Sequence, residues 1–334
     1  MISVVCPILN EEQYIEQCLK SLLLQEELQD EMEIIFVDGG STDRTKELIR
    51  PYCEQNPQIR LLDNPKRIQS AAMNIGIGAA QGDIIVRVDA HAQFPANYVA
   101  QLVHYLTILP EAGNVGCGVD TQSKSRTPKA LSIAKVMQDK FGVGNSIFRI
   151  GTDTKEEYIE TDTVPFGCFK KELLQQIGGF NEKLMRSEDN DINHRIRQTG
   201  KKIYLITGLS LVYYQRDTFC SMMQNRYITG RRMMAESVIN HTLQSLRLRH
   251  FVPMLFVGFL ILTAFVGIFF LPSLWVCLGV LAFYLLCMLI RSVQINTKET
   301  SIGWLLWSFI TLHFSTGFGS IIGILDIINP KTYK

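Results

Sequence analysis

The sequence predicts an α/β fold: a mostly parallel sheet covered by helices, followed by C-terminal helices that cross a membrane. Two observations carry this. From Ile2 to about Leu106, short apolar runs bounded by polar turns alternate with helical stretches of about ten residues or more, the pattern of strand–helix–strand units. Further on, residues 251–290 and 300–325 hold no Asp, Glu, Lys or Arg. At about 20 residues per crossing these stretches have room for about three spans. They lift the mean hydropathy to +0.11. The 334 residues suffice for one large or two ordinary domains, and a net charge of +1 leaves no long-range field to draw in nucleic acid.

Residues 2–6 read as the first strand, closed by Pro7. Asn10 and Gln13 have capping-box spacing, so a helix is expected to start at Asn10, with Ile15, Cys18, Leu19, Leu22 and Leu23 on its inner face. Residues 33–37, apolar almost throughout, form a second strand buried on both faces. Asp38-Gly39-Gly40-Ser41-Thr42-Asp43 is the next strand-to-helix junction, where Gly39 and Gly40 let the backbone approach a ligand or take positive φ. Residues 59–62 are a third strand, and 68–80 a helix packed through Ala71, Ala72, Ile75 and Ala79. Residues 83–86 lead into a buried strand ending at Asp89, after which Pro95 opens another helix. The glycine fingerprint of dinucleotide sites and the Walker phosphate loop are both missing.

Beyond Gly113 the pattern loosens. Strands are expected at 115–119 and 167–169, a basic loop over the site at 124–129, and either helix or loop at 133–148. A helix over 171–177 closes on Gly178-Gly179, and another runs from Asp189 to Thr199, stopped by Gly200. Two strands, 203–206 and 209–214, complete the sheet. Between Cys220 and Arg249, Met222, Met223, Tyr227, Met233 and Met234 mix with Arg226, Arg231 and Arg232, as in a helix lying on a membrane surface, although a Met-rich face also suits ordinary packing. The organisation is therefore an α/β domain over 1–217, an amphipathic interfacial segment over 218–250, and three membrane helices within 251–328, at about 251–271, 273–290 and 302–322. With basic loops inside, Arg247, Arg249, Arg291 and Lys298 face the cytoplasm and the tail with Lys331 and Lys334 lies outside. No basic segment precedes the first strand, so the α/β domain is expected on the cytoplasmic side. Eight cysteines without a Cys-x-x-Cys pair read as free thiols of a reducing compartment.

The chemistry gathers at Asp89-Ala90-His91, where an apolar strand gives way to a loop. In open α/β sheets ligands bind just past the carboxyl ends of strands. Carboxylate and imidazole both coordinate divalent cations, although Mg²⁺ prefers oxygen. Taken alone, such a pair is more often a turn and a surface histidine. Glu188-Asp189, at a helix start, offers a general base, with Asp191 in the same turn as a second candidate and helix capping as the plainer role.

Taken together and in this order, these motifs resemble glycosyltransferase family 2, the inverting family with a GT-A type, Rossmann-like nucleotide-sugar-binding domain. Within it the chain is similar to bacterial membrane-attached enzymes that extend lipid-linked exopolysaccharides of the succinoglycan type. The resemblance implies that Pro7, Asn10 and Glu11 meet the nucleotide base and ribose, and that Asp38, with the turn at Gly40, meets the base edge. It implies that Arg67 and Asn74 flank the diphosphate, that Asp89 and His91 stand where the family has Asp-x-Asp and bind Mg²⁺ or Mn²⁺, and that Glu188-Asp189 is the Glu-Asp pair whose aspartate is the base. Arg226 meets donor or lipid diphosphate on this reading, or else the anionic leaflet. Gln224-Asn225-Arg226-Tyr227 lacks the Gln-x-x-Arg-Trp of processive relatives, which favours addition of a single sugar. The implied partners are a nucleotide-sugar donor such as a UDP-hexose, a polyprenyl-linked saccharide acceptor and membrane lipids. The implied location is the inner (plasma) membrane, multi-pass. Two other readings stay open: transfer to polyprenyl monophosphate, and an inactive sugar-nucleotide-binding scaffold.

Overall fold

The apolar runs become the middle of a sheet. In the computed structural model of the chain, residues 1–215 and 217–328 are described. The expected strand–helix repeat is present as β1 (Ile2–Ile8), α1 (Ile15–Leu23), β2 (Met32–Asp38), α2 (Thr45–Gln55), β3 (Ile59–Asp63), α3 (Gln69–Ala79) and β4 (Ile84–Arg87). These strands lie in the order β3-β2-β1-β4, each pair parallel. Val4, Val5, Ile35, Phe36, Val37, Ile85 and Val86 are fully buried, as strands covered on both faces require. At Gly76 of α3 an added Cβ would run into the Val5 side chain, so this glycine sets how closely helix and strand approach.

The next elements are β5 (Ala92–Gln93), α4 (Tyr98–Ile108), β6 (Ala112–Gln122), α5 (Pro128–Val136), α6 (Lys140–Val143), α7 (Ile147–Ile150), β7 (Tyr158–Thr161), β8 (Gly167–Lys170), α8 (Lys171–Gln176), α9 (Glu188–Gln198) and β9 (Lys202–Tyr214). The sheet continues from β4 as β8-β6-β9-β5, with β7 also on β9, so the described residues form one nine-stranded sheet. The pairs β4–β8, β6–β8, β5–β9 and β7–β9 are antiparallel, which makes the sheet mixed. The two strands expected at 203–206 and 209–214 are one strand, β9. Its first half pairs with β7 and its end with β5, and the strand runs through Gly208 without a break.

Two further expectations change near the N-terminus. Pro7 lies inside β1, opposite Val37. Its missing N–H faces the β4 side, and β1 pairs with β4 only as far as Val5, so no ladder bond is lost. Asn10 does not cap α1. It has φ 56°, and its Oδ1 accepts from the Thr42 N–H at 2.8 Å, while α1 begins five residues later after a turn closed by Tyr14 N–H on the Glu11 carbonyl.

The chain divides into two units, Met1–Asp120 with Gly151–Tyr213, and Thr121–Ile150 with the chain from Tyr214 onward. The ambiguous stretch at 133–148, resolved as α5 to α7, therefore belongs with the C-terminal helices rather than with one block running to residue 217, and so does the basic stretch at 124–129. That second unit also holds α10 (Phe219–Ile239), α11 (Leu248–Gly267), α12 (Leu271–Ile295) and α13 (Ile302–Ile328). The last three are long and apolar enough to cross a membrane. Met222, Met233 and Met234 of α10 are buried, so most of its methionines are core packing. The tail with Lys331 and Lys334 lies outside the described residues. All eight cysteines are free, five of them buried.

Candidate active site

A charged residue stands at the end of an apolar strand. Arg87 closes β4, opposite Val5 on one side and Gly167 on the other, and is 2% exposed. A buried cation requires acids around it. Three are present. Arg87 Nη1 is hydrogen-bonded to Asp189 Oδ1, and Nη2 lies 3.5 Å from Glu188 Oε1 and 3.6 Å from Asp89 Oδ1. The Phe166 and Phe180 rings flank the guanidinium at 5.9 and 5.8 Å. One side chain thus joins the carboxyl end of β4 to the start of α9.

The helix start is shaped to deliver these acids. Ser187 takes the left-handed conformation at φ 65° immediately before Glu188. Glu188 and Asp189 occupy the first turn of α9, where the helix N-terminus favours negative charge. Asp191, the second candidate for the base, is buried and paired with Arg195 on the same helix, so it is spent on structure. Asn193 of α9 is also buried and ties the helix to Thr163, Val164 and Asn114.

Burial pushes the Asp189 carboxyl up to about 7; Arg87 opposes this, and the nearby Glu188 and Asp89 charges add to it. Its side chain still keeps 28% of its surface open, enough for a substrate hydroxyl to reach it. Burial alone would pull Arg87 down, and the carboxylates of Asp189, Asp89 and Glu188 more than reverse that.

Asp89 and His91 part company in the structure. Asp89 Oδ1 accepts from Gln69 Nε2 at 3.2 Å, and among the described residues no hydrogen bond reaches Oδ2. Mg²⁺ commonly rests on one or two carboxylates plus substrate phosphates, so Asp89 suits such an ion. His91 does not. Its Nδ1 lies 3.1 Å from Glu11 Oε1 and its Nε2 2.8 Å from the Tyr213 hydroxyl; Nδ1–H donates to the carboxylate and Nε2 is taken by the hydroxyl, so neither nitrogen keeps a lone pair for a cation. Burial lowers the His91 pKa, but Tyr213, Glu11 and Asp89 outweigh it and raise it, which favours the doubly donating imidazolium. Among the described residues no group of three or more His, Cys, Asp or Glu is arranged to hold a metal.

Other expected site residues build walls. Asp38 accepts from the N–H groups of Gly40 and Ser41 and from the Ser41 hydroxyl, and its side chain is buried in its own turn. Gly40 has φ 84°, the positive-φ turn the sequence suggested. Arg67 donates to the carbonyls of Gly39 and Gly40 at 3.0 and 3.2 Å and clamps that turn. The N–H groups of Asn10, Glu11 and Glu12 bond Ser41, Thr45 and Asp43, which locks the two loops together. Asn74, expected beside a diphosphate, instead exchanges two hydrogen bonds with the Phe180 backbone, so its amide is committed to holding that loop. Arg226 lies on α10, in the second unit. The sequence reading missed Arg87, Gln69 and Tyr213. A lone arginine within an apolar strand run was the available signal for the first; Gln69 and Tyr213 carried none.

A family model described as glycosyl transferase family 2 matches residues 3–178. The succinoglycan biosynthesis protein ExoA of Rhizobium meliloti (strain 1021) is 31% identical over 231 residues, 68% of this chain and 67% of that protein. The mannosyltransferase PcManGT from Pyrobaculum calidifontis, solved with GDP-Man and Mn²⁺, has a TM-score of 0.60 at 19% identity, covering 99% of this chain and 87% of its own. S. aureus TarS 1-349 has a TM-score of 0.53 at 16% identity, covering 100% and 92%. At these identities the solved structures speak for the fold.

Replacing Arg87 leaves three carboxylates facing one another without a counter-charge. Arg87→Met is expected to destabilise the protein by about 3–5 kcal/mol, read by denaturant unfolding in detergent. Arg87→Lys keeps the charge but loses the fork, and should fall between Met and the parent.

Proposed function

The chain belongs to glycosyltransferase family 2, and we propose that it adds a single sugar from a nucleotide-diphosphate sugar to a polyprenyl-linked saccharide, with inversion and with Asp189 as the general base. The observation that carries this is the contact of Arg87 with both Asp89 and Asp189, which joins a carboxylate suited to a cation–diphosphate with one suited to a base. Direct displacement needs one base at the acceptor hydroxyl. Ionised Asp189 takes that proton as the hydroxyl oxygen attacks the anomeric carbon, and the nucleoside diphosphate leaves from the opposite face. Glu188 beside it helps hold the base ready, and Arg87 fixes both acids. Asp89 would hold Mg²⁺ or Mn²⁺ together with the diphosphate, and such an ion offsets the charge of the leaving group. His91 acts by position, tying Glu11 to Tyr213 beside Asp89. Asp38, Gly40 and Arg67 shape the turn at the carboxyl end of β2, where the nucleotide base and ribose lie in this reading, with Pro7 near the end of β1 and Asn10 and Glu11 on the loop after it. The resemblance to ExoA supports a role in exopolysaccharide synthesis, and the apolar C-terminal helices support action at a membrane, with the catalytic unit on the cytoplasmic side.

The test is transfer from a panel of nucleotide sugars to polyprenyl-diphosphate saccharides and to polyprenyl monophosphate, each with and without EDTA. Asp189→Asn should keep donor binding and lose turnover; equal loss of both makes the residue structural. Only ionised Asp189 accepts a proton, so kcat/KM should fall by about tenfold per pH unit below the limb near pH 7. A limb in the ordinary carboxylate range would mean that its raised pKa does not govern the reaction. Asp89→Asn should raise the cation concentration needed for half-maximal activity, whereas His91→Gln should lower activity with that concentration unchanged.

A further inference from the structure

In the second unit, the packing of α13 conflicts with its composition. It is long and apolar enough to cross a membrane, yet 44% of its most apolar stretch is buried within the protein, against 11% in α11 and in α12. Its first half packs against α5, α6, α10 and α12. Leu305, Phe309 and Leu312 share an apolar cluster with Ile133 and Val136 of α5 and Met222 of α10. His313 Nε2 bonds the Phe141 carbonyl of α6 at 2.8 Å. Lys135 of α5 and Lys140 of α6 are exposed next to this contact.

One face of the second half, residues 314–328, is taken up by α10, while Phe318, Ile324, Leu325 and Ile328 stay exposed. The helix α10 runs parallel to it. Phe219 stacks on Trp304 at 5.5 Å, and further along, Gly319 and Gly323 of α13 lie against the backbone of Tyr227 and Arg231. At the far end Arg231 Nε and Nη2 bond the two oxygens of buried Asp326 at 2.5 and 3.0 Å. Backbones in such contact share one depth. The helix α10 carries Arg226, Arg231, Arg232 and Glu236, and its Gln224 is exposed. If α13 crossed the bilayer, these groups would be carried into hydrocarbon, where charge is costly and rare. The hairpin of α11 and α12 is different. It holds no charge from residue 251 to 290, and its tip is apolar and open, with Ile268 73% and Phe269 81% exposed.

We propose that the α11–α12 hairpin alone crosses the membrane, and that α13 is a docking rail for α10 that never crosses. The chain ahead of α11, the loop between α12 and α13, and the C-terminus then all stay on one side of the membrane. This replaces the three-span reading, in which the tail lies on the opposite side.

Labelling with a membrane-impermeant maleimide tests this in sealed vesicles of both orientations, and its readout does not depend on transferase activity. In the full chain carrying Cys53→Ser and Cys220→Ser, single cysteines are placed by Lys20→Cys, Asn240→Cys, Lys298→Cys, or by appending one after Lys334. All four should react from the same face, the one that Lys20→Cys marks for the N-terminal unit. A C-terminal cysteine reached from the opposite face, or from neither, overturns the proposal. So does Asn240→Cys reacting from the opposite face, which would mean that α10 itself crosses.

Discussion

A buried guanidinium governs the geometry at the carboxyl end of β4. Arg87 cannot reach water, so the fold must surround it with acids, and it draws those acids from two distant parts of the chain. Asp89 follows from its own strand, whereas Glu188 and Asp189 arrive about a hundred residues later on the first turn of α9. The antiparallel strand β8 and the two phenylalanines close the space around the cation. A strand end, a helix start and an aromatic sleeve are thus held in one arrangement by a single charge. Burial there raises the pKa of Asp189 to about 7 against the pull of Arg87, with the Glu188 and Asp89 charges adding to the rise.

Around this centre, polar side chains that could have met a ligand are used to brace loops. Asp38 folds back on its own turn, Arg67 clamps that turn from outside, and Asn74 pins the backbone at Phe180. His91 spans Glu11 and Tyr213. In the function proposed above these loops meet a flexible, highly charged donor, and loops already stiff lose less entropy on binding. Preorganisation here comes from side-chain-to-backbone hydrogen bonds rather than from regular secondary structure.

The second unit is organised by small residues. Gly230 of α10 and Gly317, Gly319 and Gly323 of α13 remove the side chains that would hold neighbouring backbones apart. Where the backbones meet, Arg231 and Asp326 satisfy each other out of water. A sequence count of apolar residues treats α13 like α11 and α12, but its serine, threonine and glycine face marks a helix made to be covered by protein.

The sequence by itself determined the parallel half of the sheet, because period and turn chemistry are local, and β1 to β4 alternate with helices whose inner faces can be read directly. It also determined the family, and it put Asp38, Asp89 and Glu188-Asp189 at junctions between a strand or loop and a helix. Tertiary structure alone decided which of these acids meet. Pairing of β4 with β8 and the path of α9 depend on contacts far apart in the chain, which no local pattern encodes. It also decided that the imidazole of His91 is saturated by Glu11 and Tyr213, because a ligand's lone pair is available only if no neighbour takes it first.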